Sequence, residues 1–397
     1  MNKKLWQKRY QLDRKIEDFT VGDDYILDRQ LIRYDCLASI AHAQMLGKIG
    51  ILSEENAKVL VNELEHIIEL DKKGEFEVLK RDEDCHTAIE NHLTKTCGHA
   101  GKMIHAFRSR NDQVLAALRL LYKHELLEIN ALITKINKTL SQFQKRYMHV
   151  KIPGFTHTRK AMPSSIELWS NAIIDSMKDN QKMLKADYDL IDQSPLGTGA
   201  GYGIPFEIDR QYTANQMGFN RVQENPIYVQ NSRGKFESSI LNTLSLILFD
   251  INKTASDLIL FTLPDLAFFE LPDEFLTGSS MMPQKKNPDV LELLRTNYHI
   301  VVSYEFQVKN IIANLISGYH RDFQQTKAPI LKGFEITKSS LSVLNLVFEN
   351  LEVNEESCKR AMTDEIFATE KAYRLVRQGM SFRDAYLAVA KEFSDNH

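Results

Sequence analysis

The sequence predicts an all-α protein built around a central bundle of long helices. Apolar residues recur at helical spacing over stretches far longer than a strand. Glycine and proline are nearly absent inside those stretches and cluster between them. The richest stretch is apolar around most of its circumference, as a helix buried in a bundle must be.

Each element follows from the same reasoning. Residues 28–48 place Leu31, Tyr34, Leu37, Ala38, Ala41 and Met45 at helical spacing, and Gly47 and Gly50 mark the end. Ser53 is a natural cap for the next helix, which runs to Gly74. One long helix spans about 112–149, and another follows Pro163 towards Asp192. The stretch from Gly234 to Phe261 carries Phe236, Ile240, Leu241, Leu244, Ile247, Leu248, Ile251, Ala255, Leu258 and Ile259. Leu246, Phe249 and Leu260 widen its stripe. Two more long helices run from Pro288 towards Ile316 and from Pro329 to Asn350. A bundle leaves its outer faces wet, so a stripe this wide predicts contact with other copies of the chain. The connections near 98–110, 150–163, 194–205, 262–287 and 317–328 are rich in Gly, Pro, Ser, Thr and His. Function is expected on these irregular segments.

Bulk properties narrow the classes. A chain of 397 residues can build two or three domains. A net charge of -3 argues against nucleic-acid binding through bulk electrostatics. No apolar run reaches the roughly 18–20 residues of a membrane span. The basic start Met1–Arg9 lacks a secretory apolar segment, so a cytoplasmic protein is expected. Cys36, Cys85, Cys97 and Cys358 are too sparse for a disulfide framework. Cys85, His86, His92, Cys97 and His99 match no zinc spacing, so neither a metal nor another cofactor is expected.

Five segments carry the chemistry. Residues 278–289, Gly-Ser-Ser-Met-Met-Pro-Gln-Lys-Lys-Asn-Pro-Asp, hold hydroxyls, ammonium groups and amide donors in one loop. Such a loop suits anion binding and stabilisation of developing negative charge, although an ordinary polar turn has the same composition. Arg108-Ser109-Arg110-Asn111 precedes a long helix, where guanidinium and N–H groups bind carboxylates. Pro153-Gly154-Phe155-Thr156-His157 presents a histidine, the side chain best matched to proton transfer near neutrality, although a lone histidine in a turn is more often an ordinary surface residue. Gly197, Gly199, Gly201 and Gly203 alternate as in a phosphate cradle, but no Gly-Lys-Ser/Thr follows and a nucleotide site is rejected. Tyr319, Gln324 and Lys327 together suit a polar amino-acid substrate.

These segments resemble, in order, the signatures of the fumarase/aspartase superfamily, and among its members the argininosuccinate lyases. The loop is similar to GSSxMPxKxNP, and the other segments to HTGRSRNDQ, PGYTH, PLGxGA and YNKDLQEDK. Glu83-Asp84-Cys85-His86 and Phe382-Arg383-Asp384-Ala385 are further echoes, the first placing Cys85 and His86 at a helix start. The resemblance covers about residues 19–390. Ala106-Phe107 stands in place of Thr-Gly, Gln325-Thr326 in place of two acidic residues, and Gly22-Asp23-Asp24 where many relatives carry a serine.

The resemblance implies a three-domain architecture, with an N-terminal helical domain over 1–108, a long-helix bundle over 109–358 and a small C-terminal domain over 359–397. It implies a homotetramer with shared active sites. It also implies cleavage of argininosuccinate to arginine and fumarate. Ser279 would be the base, Lys285 the carbanion stabiliser, His157 the general acid and Glu292 its carboxylate partner. Substrate contacts fall on His105, Arg108, Ser109, Arg110, Asn111, Thr156, Ser280, Met282, Asn287, Tyr319, Gln324 and Lys327. The competing readings are a lyase of the same superfamily acting on another aspartate or malate derivative, and a non-catalytic crystallin-like relative.

Overall fold

The computed structural model describes residues 13–394. In chain order the helices are α1 (Arg14–Val21), α2 (Asp24–Leu27), α3 (Ile32–Lys48), α4 (Glu54–Lys72), α5 (Cys85–Thr96), α6 (His99–Met103) and α7 (Arg110–Tyr147). A hairpin of β1 (Lys151–Thr156) and β2 (Arg159–Ser165) follows, then α8 (Ile166–Ile191), α9 (Arg210–Gln216), α10 (Pro226–Asn231) and α11 (Lys235–Phe261). The remainder is α12 (Asp289–Ile312), α13 (Lys327–Asn350), α14 (Glu355–Ala361), α15 (Ala368–Arg377) and α16 (Phe382–Ser394). The expected all-α fold is the one adopted. Met1–Arg9, read above for a leader, lies outside the described residues. No helix among the described residues is long and apolar enough to cross a membrane.

The long helices lie where the apolar period put them, with small shifts that have local causes. Ser53 accepts the Asn56 amide at 3.2 Å and caps α4. Pro329 falls in the first turn of α13, where a missing N–H breaks no helical bond, so the helix begins ahead of it at Lys327. Gly47 does not end α3; a Cβ there would lie 2.9 Å from the Ala57 methyl, so it permits close packing of α3 on α4.

Segment 150–163 departs from expectation, because it forms a hairpin instead of an irregular connection. Thr156 pairs with Arg159, which leaves His157-Thr158 as a two-residue turn. Both turn residues have positive φ, 51° and 58°, the conformation a type I′ turn demands. Pro153 faces Pro163 across the ribbon; a two-stranded ribbon has free edges and tolerates proline.

The chain divides into two compact units. The first comprises residues to Glu128, Leu184–Thr243 and Val302–Phe334. Its core includes Ala38, Ala41, Ala116, Leu196, Ala214 and Phe219. The second comprises Ile129–Met183, Leu244–Val301 and the residues from Glu335 onwards. Aromatic rings fill it: Trp169 lies 5.2 Å from Phe269 and 6.0 Å from Phe348, and Phe143 lies 5.7 Å from Phe348. In α11 the main apolar stripe is buried from Phe236 to Leu258 and half-buried at Ile259, while Leu246 and Phe249 on the widened side stay 37% and 42% exposed in the single chain.

Candidate active site

The first unit contains a cavity of about 450 Å³ whose lining is mostly charged or polar. Its walls come from element ends. Thr20, Asp24 and Asp28 lie around α2, Glu83, Asp84 and His86 at the start of α5, and Arg110 and Asn111 at the start of α7. Arg233 precedes α11, and Tyr319, Arg321, Gln324 and Lys327 lead into α13. Helix starts gather polar side chains because their first N–H groups need partners. Asp84 shows this, accepting the Thr87 amide at 2.8 Å to cap α5. Distant parts of the chain are tied together here. Gln324 donates to the carbonyls of Thr20 and Val21 at 3.2 and 3.0 Å, and Arg321 donates to Thr20 at 2.7 Å.

The charges in the cavity are grouped. Lys327 is buried and pairs with Asp28 at 2.6 Å and Asp24 at 2.9 Å. Burial opposes its charge, but the two carboxylates outweigh it and hold the ammonium far above its usual range. Arg110 lies 3.2 Å from Asp84 and 3.8 Å from Glu83, and also donates to the Thr87 hydroxyl. Against burial, Arg110, His86 and the Thr87 amide keep Asp84 below the usual carboxylate range. His86 places Nδ1 3.1 Å from buried Asp35, which also accepts the Gln113 side-chain amide at 2.8 and 3.1 Å. Burial disfavours the imidazolium, yet Asp35 overrides it and raises the His86 pKa.

Arg233 is only 5% exposed, and its guanidinium lies 5.2 Å from the Tyr319 ring and 4.9 Å from that of Phe323. Its Nη1 is buried and has no hydrogen-bond partner among the described residues. Glu237 braces the preceding turn by accepting the Gly234 amide at 2.6 Å.

The alternating glycines beside the cavity do hold an anion, but it belongs to the chain itself. Asp112, buried in the first turn of α7, accepts the amides of Gly197 and Gly199 at 2.9 and 2.8 Å and that of Ser109 at 2.9 Å. Gly197 has φ 87°, and a Cβ there would meet Arg210 and Ile208 at 2.8 Å. Phe107 adopts φ 58° and stacks on Phe206 with centroids 4.5 Å apart.

In the second unit, loop 278–289 is closed by a short antiparallel pairing of Thr277-Gly278 with Lys286-Asn287. Ser279 Oγ accepts the amides of Met281 and Met282 at 3.3 and 3.1 Å. Two N–H donors on one hydroxyl oxygen favour its alkoxide. Lys286 is tied to Asp273 at 2.6 Å, and Asn287 donates to the Gly278 carbonyl at 3.4 Å. Ser280, Met282, Lys285 and Glu292 are exposed. Thr156 and His157 are exposed on the hairpin.

The structure therefore gathers Arg110, Asn111, Tyr319, Gln324 and Lys327 in one cavity. Arg108, Ser109 and His105 stand behind or beside it. Arg108 is buried and donates to the Ser39 hydroxyl at 2.9 Å. Ser109 accepts the Asn111 amide at 3.2 Å. His105 is pushed down to about 4 by burial and by Arg108, so it is neutral near pH 7. Thr156, His157, Ser279, Ser280, Met282, Lys285, Asn287 and Glu292 belong to the second unit. Asp28, Arg233 and Arg321 escaped the sequence reading. Each sits among polar residues at an element end, which looks the same as a solvated face until folding buries it.

Asp28, Cys85 and His86 place ligand atoms within 4.8 Å of one another. Their chemistry does not suit a cation. Asp28 already serves Lys327, His86 is favoured as a cation by Asp35, and burial keeps the Cys85 thiol protonated by raising its pKa well above the usual value.

Comparison with known proteins gives the geometry its context. A family model described as lyase matches residues 4–302. The argininosuccinate lyase of Thermotoga neapolitana is 50% identical over 393 residues, spanning 99% of each chain. That of Xanthomonas campestris pv. campestris is 41% identical over 391 residues, covering 98% of this chain and 90% of the relative. Among solved structures, an EDDS lyase variant with bound fumarate superposes with a TM-score of 0.79 at 21% identity, over 94% of this chain and 74% of that one. A class II fumarase from Schistosoma mansoni gives 0.79 at 14% identity, over 96% and 93%. At such identities the two structures speak for the fold alone.

Proposed function

The chain belongs to the argininosuccinate lyases of the fumarase/aspartase superfamily, and on that premise we propose that it cleaves argininosuccinate to arginine and fumarate. The observation that carries this best is full-length 50% identity to an argininosuccinate lyase, joined to a cavity rich in paired charges. A substrate bearing carboxylates, a guanidinium and an ammonium suits such a lining. The reaction serves arginine biosynthesis, and the expected compartment is the cytoplasm.

Ser279 is the base in this reading. Its oxygen takes the proton alpha to a succinyl carboxylate, and the electron pair spreads onto that carboxylate. The Met281 and Met282 amides on Ser279 Oγ support the alkoxide this requires. Lys285 and Asn287 stabilise the carbanion. The pair then forms the C=C bond as the C–N bond breaks, and His157 protonates the departing nitrogen while Glu292 steadies its imidazolium. Arg108, Ser109, Arg110, Asn111, His105, Thr156, Ser280, Met282, Tyr319, Gln324 and Lys327 bind or frame the substrate. A homotetramer brings these groups together from different chains. The domain limits 1–108, 109–358 and 359–397 complete the reading.

The test is release of fumarate, followed by its ultraviolet absorbance, from argininosuccinate and from a panel of other N-substituted aspartates. Argininosuccinate is expected to be the best substrate, and Ser279→Ala should lower kcat by about 10²–10⁴-fold. Faster turnover of another aspartate would overturn the substrate assignment. Near-normal turnover by Ser279→Ala would overturn the assignment of the base.

A further inference from the structure

Asp112 is fully buried, and the groups that hold its carboxylate are backbone amides. Each oxygen faces a different segment. Oδ1 accepts the Ser109 amide at 2.9 Å, while Ser109 Oγ accepts the Asn111 amide at 3.2 Å, a reciprocal cap on the first turn of α7. Oδ2 accepts the Gly197 and Gly199 amides at 2.9 and 2.8 Å. One side chain therefore fastens the start of α7 to the glycine loop. The turn it fastens carries Arg110 and Asn111, both on the cavity wall. Asp112 stands behind that wall and acts on a substrate only through them.

The loop has supports of its own. Arg210 donates to the Leu196 and Gln223 carbonyls at 3.0 and 2.8 Å, and the Thr198 carbonyl accepts the amides of Gly201 and Gly203 at 3.2 and 3.0 Å. The loop can thus stay folded while its hold on α7 changes. Charge sets that hold. The ionised carboxylate accepts all three amides, whereas the protonated one keeps a single good acceptor oxygen and gains a hydroxyl donor. Burial pushes Asp112 up to about 6, against the three amides and Arg108. Its charged neighbours, Arg108 and Arg210, stay cationic at any ordinary pH. Burial pushes His42 down to about 3 and His105 down to about 4, so both stay neutral in the same range. Glu90, raised by burial, faces Arg108 and Arg110.

We propose that Asp112 is a positioning residue for the reaction: its ionised carboxylate locks the first turn of α7 to the glycine loop and so fixes the aim of Arg110 and Asn111 at the substrate. The proposal goes beyond the reading of the cavity as an argininosuccinate site and rests on it. It ties substrate binding to the charge of one buried side chain. Protonation of Asp112 releases the turn, and binding weakens as pH falls.

The test measures kcat and KM for argininosuccinate between about pH 5 and 8 in the wild type, Asp112→Asn and Asp112→Ser, with the denaturation midpoint of each. Wild-type KM should rise about tenfold as pH falls through the folded pKa of Asp112. Both variants should show that raised KM at every pH, because neither side chain has a charge to lose. Their kcat at neutral pH should stay within about threefold of the wild type. A wild-type KM that is flat over this range overturns the proposal without any variant. Variants that keep the wild-type KM profile also overturn it, and assign that profile to another group such as Glu90. So do variants whose denaturation midpoint falls while KM stays at the wild-type value, as expected of a cap with a purely structural role. A wild type that releases fumarate with a flat KM overturns this proposal alone. A wild type that releases no fumarate overturns the functional reading first and this proposal with it.

Discussion

His86 illustrates how single residues in this cavity depend on partners that the sequence does not place beside them. At a helix start, beside Cys85, it resembles a metal ligand or a surface histidine. Folding buries it 3.1 Å from Asp35, whose own pKa falls because His86, Arg108 and Gln113 outweigh burial. The pH dependence follows from the two directions. His86 has a raised folded pKa, so its contribution is complete below the ordinary value of 6.5 and is lost as pH rises through the folded value. Asp35 has a lowered one, so its contribution is present above the ordinary 3.8 and is lost as pH falls through the folded value. The pair therefore stabilises most between those ordinary values. Asp84 and Asp28 also favour the imidazolium and deepen the effect. The gap in denaturation midpoint between wild type and His86→Asn should be widest in that window and shrink on the alkaline side. A gap that stays flat with pH would show that His86 is held neutral.

At the scale of elements, the helices were legible and the hairpin was not, for one physical reason. A helix in a bundle must repeat its apolar residues every third or fourth position, and α7, α8, α11, α12 and α13 do so over many turns. The β1–β2 ribbon has no wide sheet to bury one face, so it needs no strict alternation and even accepts Pro153 and Pro163. Its turn is unusual in another way. Thr158 is β-branched yet holds φ 58°, a conformation that costs such residues about 1–2 kcal/mol, with a hydroxyl bond to the His157 carbonyl as partial compensation. Glycine belongs at that position of a type I′ turn. Thr158→Gly should therefore stabilise the protein by about 0.5–1 kcal/mol in chemical denaturation, after the entropy glycine adds to the unfolded chain. Destabilisation of similar size would mean that the hydroxyl bond outweighs the backbone strain. The cavity was only half legible for a different reason. Lys327 is conspicuous in the sequence, but its partner Asp28 lies 299 positions earlier, and no local pattern announces such a pair.

At the scale of the whole molecule, the apolar surface of the long helices exceeds what one chain covers. Leu168 and Leu293 remain 64% and 65% exposed, on helices whose other faces are packed. Scattered exposed leucines are ordinary; several on long helices of a lyase whose loop and hairpin residues also face solvent are consistent with the proposed homotetramer. Within the chain, the cavity residues proposed to hold substrate, Arg110, Asn111, Tyr319, Gln324 and Lys327, fall in one unit, and the residues proposed for proton transfer, Ser279 and His157, fall in the other. If assembly brings them together from separate copies, two inactive proteins can repair one another. Asn111→Leu would spoil the cavity and leave loop 278–289 intact, while Ser279→Ala would do the reverse. Each variant alone should be nearly inactive. Unfolded and refolded together in equal amounts, they should assemble with roughly a quarter of their sites built from two intact contributions, because each contribution is intact in half the chains. Recovery of activity towards that fraction, with separately refolded samples staying inactive, is the expected result. If mixing restores nothing although the chains exchange, every site is built from a single chain.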